Sequence, residues 1–79
     1  MQLQKDWCVA ITRDSQGVPT HAHVYENARN GPHNLMGELE DLPRLPGISI
    51  EDFLKTKAPE GAKVSQMFAM TSETLFIVE

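Results

Sequence analysis

The sequence predicts an α+β fold: a small single domain spanning residues 1–79, with an antiparallel sheet from two β-hairpins and one or two short helices packed on one side, in the order ββ(α)αββ. Three observations predict it. Two alternating runs flank a turn near the start of the chain, a second pair of strand-like runs lies near its end, and a well-capped helix separates them.

The first hairpin pairs Trp7 to Thr12 with Pro19 to Tyr25 across Asp14-Ser15-Gln16-Gly17, whose residues favour turns. A four-residue loop at 14–17 sets Arg13 against Val18. Trp7 then faces Val24, Val9 faces Ala22 and Ile11 faces Thr20, which makes one coherent apolar face. On the other face Cys8 meets His23, Ala10 meets His21 and Asp6 meets Tyr25.

Asn27, Asn30, Gly31, Pro32, Pro43, Pro46 and Gly47 punctuate the next stretch, residues 26–47. Within it Leu35, Leu39 and Leu42 follow i, i+4, i+7 spacing, which predicts a short helix over 33–41 that Gly37 weakens and Pro43 ends. A better-signalled helix follows over 50–57. Ser49 is a good N-cap, Glu51 and Asp52 suit the positive end of the helix dipole, and Ile48 and Phe53 occupy the positions of a hydrophobic staple. Lys55 and Lys57 lie near its end, and Pro59 and Gly61 close it. Its apolar stripe is Ile50, Phe53 and Leu54.

Residues 63–70 and 74–79 read as a second hairpin turning at Thr71-Ser72-Glu73. Leu75 and Ile77 fall on one face, Phe76 and Val78 on the other, so this hairpin is apolar on both sides. One side suits the 50–57 helix. The other calls for the 33–41 segment, a second copy of the chain or a foreign partner. Trp7 reads as a core anchor. Met36, Met67 and Met70 read first as core gap-fillers and second as an adaptable docking surface.

Composition narrows the function. A domain of 79 residues buries about 60% of the surface its unfolded chain exposes. A single cysteine forms no internal disulfide, the start Met1 to Asp6 is polar, and no apolar run approaches the ~20 residues of a membrane span. The expected location is the cytoplasm. Seven Lys and Arg are scattered without a basic stripe, which argues against nucleic acid. Residues 38–52 alone carry the whole net charge of −4. That is too sparse to imitate a duplex, which bears one charge per about 1.7 Å.

Cys8, His21 and His23 share a strand face and are zinc-type ligands, with His33 or Asp6 as a further donor. No Cys-x-x-Cys or His-Glu-x-x-His pattern supports them, and the simpler expectation is no metal and no cofactor. As a nucleophile Cys8 lacks a cationic neighbour, an oxyanion hole and an orienting group. The carboxylate pairs Glu38 with Asp41 and Glu51 with Asp52 are explained by helix ends and solubility. No phosphate-binding loop occurs.

In size, acidity and want of catalytic residues the chain is similar to small phage-encoded inhibitors, anti-CRISPR proteins among them. The similarity implies a non-enzymatic protein that binds another protein or complex and modulates it by occupying its surface. The interface expected for that role is Leu35, Met36, Glu38, Leu39, Glu40 and Asp41, an apolar centre with an acidic edge. Two alternatives stand beside it: a metal-binding protein or metal-dependent enzyme using Cys8, His21 and His23, and a subunit that self-associates as a homodimer through the C-terminal hairpin.

Overall fold

Both hairpins form, and they join edge to edge. The computed structural model describes residues 1–26, 30–45, 47–70 and 72–79. Asn27, Pro46 and Thr71, which punctuate the sequence reading, lie outside the described residues. The elements are β1 (Cys8–Arg13), β2 (Pro19–Tyr25), β3 (Leu35–Glu38), α1 (Ile50–Lys55), β4 (Val64–Ala69) and β5 (Glu73–Val78). They make one five-stranded antiparallel sheet in the order β3-β2-β1-β5-β4, with the helix on one face.

β1 is the central strand. It pairs with β2 through the first turn and with β5 from the far end of the chain, where Cys8 faces Ile77, Val9 faces Phe76 and Ala10 faces Leu75. Side-chain alternation divides the sheet cleanly. Val9, Ile11, Ala22, Val24, Phe76, Val78 and Val64 point toward the helix and join Leu3, Leu39, Leu42, Ile50 and Leu54 in the main core. Trp7, expected on this side, packs partly buried against it. Cys8, Ala10 and Leu75 form a second, smaller cluster on the opposite face, flanked by Tyr25 and Ile77. Every member of that cluster belongs to the sheet itself.

The first hairpin keeps its expected faces but not its expected partners. Val9 faces Val24 rather than Ala22, and Ala10 rather than Cys8 faces His23, a displacement of two residues. The turn is the cause. Asp14 N–H donates to Val18 O at 3.0 Å, Gly17 N–H donates to Asp14 O at 3.0 Å, and Gly17 takes φ 81°. This closes a tight three-residue loop with Gly17 in the left-handed position, and an irregularity between Thr12 and Arg13 brings Arg13 opposite Pro19. The Asp14 carboxylate secures the loop by accepting from Gln16 N–H and Val18 N–H, both at 2.9 Å.

The predicted 33–41 helix is a strand. β3 pairs with β2, with His23 opposite Glu38, Val24 opposite Gly37 and Tyr25 opposite Leu35. Gly37 has φ 153°, which no helix accommodates, and a side chain there would come within 2.5 Å of the Met1 side-chain methyl. Beyond β3 the chain turns under the sheet: Leu39 N–H donates to Ala22 O at 2.9 Å, and Leu39 and Leu42 enter the core. The three leucines therefore do not share one helical face.

The second helix forms where expected but ends at Lys55. Asp52 N–H donates to Ser49 Oγ at 3.3 Å, Glu51 and Asp52 occupy the first turn, and Ile50 and Leu54 are buried. Phe53 packs half-buried against the core, while Ile48 stays exposed. Among the described residues no helix is long and apolar enough to cross a membrane.

Candidate functional site

Leu35 and Met36 emerge on β3, an edge strand of the sheet, where a break in register between Val24 and Tyr25 leaves Met36 as the extra residue between the paired Leu35 and Gly37. Leu35 is 59% exposed and Met36 40%. Both are large apolar side chains open to solvent, and three carboxylates follow within five residues of Met36 along the chain. Glu38 closes the strand on the open face of the sheet, with His23 Nε2 3.9 Å from its Oε2. Glu40 and Asp41 follow on the turn into the core, both exposed. Leu39 does not belong to this surface. At 3% exposure it is a core residue, because the strand turns inward directly after Glu38.

Asp41 is held by the segment that follows the helix. Lys57 Nζ donates to its carboxylate, and that hydrogen bond lowers the Asp41 pKa below its ordinary 3.8. The same ammonium lies 5.6 Å from the Phe53 ring centroid, so one lysine braces the loop after β3 against the segment after α1. Glu40 has no ion-pair partner among the described residues.

The second constellation is only partly assembled. His21 and His23 stack with ring centroids 5.8 Å apart and planes 14° from parallel. Cys8 shares their face but lies opposite Tyr25 and is fully buried, and burial raises its thiol pKa above the ordinary 9.0. His33 is remote from this triad in the loop before β3, its Nε2 3.1 Å from Asn30 O. Among the described residues no three His, Cys, Asp or Glu side chains converge as metal ligands. A thiol so placed is neutral near pH 7 and out of reach of a substrate.

Comparison with protein-family models, with curated proteins and with solved structures returned no match.

The methionines correct a further expectation. Met36, Met67 and Met70 do not fill gaps in the core; Met67 is 46% and Met70 64% exposed, beside Phe68 at 46%. A run of three large apolar residues within four positions, without a charge among them, was the sequence signal for a surface here. Alternation marked both faces of the second hairpin as apolar but did not give its exact pairing, because a register break between Gln66 and Phe68 inserts Met67 as an extra residue.

Proposed function

We propose that this chain is a non-enzymatic protein that binds another protein through the β3 edge and modulates it by covering its surface. The observation that carries the reading is the exposure of Leu35 and Met36 on an edge strand beside Glu38 and Glu40. An apolar centre with a charged rim is the usual anatomy of a specific interface. Methionine and leucine adapt their shape to a pocket, and the carboxylates select a partner whose pocket is bordered by Lys or Arg. An edge strand also offers backbone groups, so a partner segment can add as a further strand. Asp41, already engaged by Lys57, contributes more to holding the loop than to recognition.

Affinity capture from the native host, followed by titration of the purified partner, tests this. Leu35→Asp with Met36→Asp, and separately Glu38→Lys with Glu40→Lys, should each weaken binding by about tenfold or more. Added salt should slow association of the wild type more than of the charge-reversed variant. A partner that binds both variants as tightly as wild type, with the fold intact by circular dichroism, would place recognition elsewhere.

A further inference from the structure

We infer that the free edge of β4 is a second interface, and that its occupant is another copy of this chain, added antiparallel about a two-fold axis to continue the sheet.

β4 is the other edge strand, and its outer side carries peptide groups that the sheet does not use. Lys63 and Glu79 exchange both backbone hydrogen bonds, at 2.8 and 2.7 Å. By the alternation of an antiparallel ladder, the N–H and C=O of Val64 and Gln66 face away from β5. Beyond the irregularity, Met70 N–H turns back to Glu73 O at 2.6 Å, so Ala69 faces outward as well.

Natural edges are blunted by charge, proline or brevity. The two edges here differ sharply. β3 is four residues long, contains Gly37, ends in Glu38 and runs into Glu40 and Asp41. β4 is six residues long, and residues 64–70 hold neither a charge nor a proline. Its register break is on the β5 side and introduces Met67 rather than a polar residue.

Charge distribution selects the occupant. The chain carries −4 overall, which opposes most ways of bringing two copies together. Glu38, Glu40 and Asp41 lie on the β3 edge, four strand spacings or about 19 Å across the sheet from β4. Pairing through β4 puts the two acidic edges at opposite ends of a doubled sheet. Along the chain the nearest charge is Lys63, just outside the strand and matched by Glu79 across it, and an antiparallel register that overlaps the full length of the two strands keeps the two Lys63 apart. Met67, Phe68 and Met70 of each copy then cover those of the other. The β3 edge, with its carboxylates, repels a second copy by the same reasoning that suits it to a basic partner.

Sedimentation of the full chain across concentration, with amide exchange read by NMR, tests the inference. The expected mass rises from the 8.8 kDa monomer to twice that value. The Gln66 amide should become about tenfold more protected between dilute and concentrated samples, as mass action requires. Gln66→Pro, which removes a donor facing outward from an edge, and Phe68→Lys should each return the protein to monomer. A monomer persisting to about 1 mM, where even weak specific pairs associate, would overturn it. So would a dimer in which Gln66 stays unprotected and both variants still associate.

Discussion

Cys8 has Tyr25 opposite it on one neighbouring strand and Ile77 on the other, and it is fully buried between them. The thiolate would lose its hydration there, which is why the thiol pKa rises above 9.0. A group whose folded pKa is raised stabilises the fold fully below its unfolded pKa and loses that contribution as pH rises through the folded one. Urea midpoints at about pH 8 and about pH 10 should therefore fall further for wild type than for Cys8→Ala, which has no thiol to ionise. Equal slopes would mean that the sulfur is hydrated. Gly37 is constrained from two sides, by a φ of 153° and by Met1 lying where a side chain would begin. Gly37→Ala should cost about 1–3 kcal/mol, and adding Met1→Ala should recover only the steric part, since the backbone strain stays. Full recovery would assign the whole cost to the methionine. Neither residue's setting was legible in the sequence. Alternation placed Cys8 on the correct face, because a shift of two residues preserves faces, but it could not name Tyr25 as its neighbour. Gly37 read as a weak helix position because Met1, far away along the chain, leaves no local trace.

At the scale of elements, the helix was legible because its signals are local. Ser49 caps it, Glu51 and Asp52 follow, and Ile50 and Leu54 point into the core. Six residues do not hold a helix by themselves, so its stability comes from the face it buries. Leu54→Ala should cost about 2–5 kcal/mol by chemical denaturation, the range for a fully buried leucine. Phe53→Ala should cost less despite the larger side chain, because Phe53 is only half-buried and Lys57 and the core each cover part of it. The reverse ranking would mean that the helix is rolled about its axis. β3 was illegible for a physical reason. Leu, Met and Glu favour helices, and only pairing with β2 and the φ of 153° at Gly37 make the segment extended. The candidate site shared this fate. Leu35, Met36, Glu38, Glu40 and Asp41 of the expected surface are exposed, whereas Leu39 is buried and was misplaced because a helical spacing put it beside Leu35.

Across the whole molecule, the sheet has an acidic margin at β3 and an uncharged apolar margin at β4. The proposed target binding at the first and the proposed self-pairing at the second use different edges, and a doubled molecule would present two identical target surfaces. Such a molecule would gain avidity on any partner that is itself repeated. The sequence showed the two hairpins but not their union, since nothing local in β1 or β5 specifies the other. That union carries a cost in time. β1 has one margin matched promptly by β2; its other margin waits for β5, the last strand described. Closing so long a loop is entropically slow, and a waiting strand rich in Val, Ala and Ile is prone to associate with the wrong neighbour. Until β5 pairs, the middle of the sheet stays half finished.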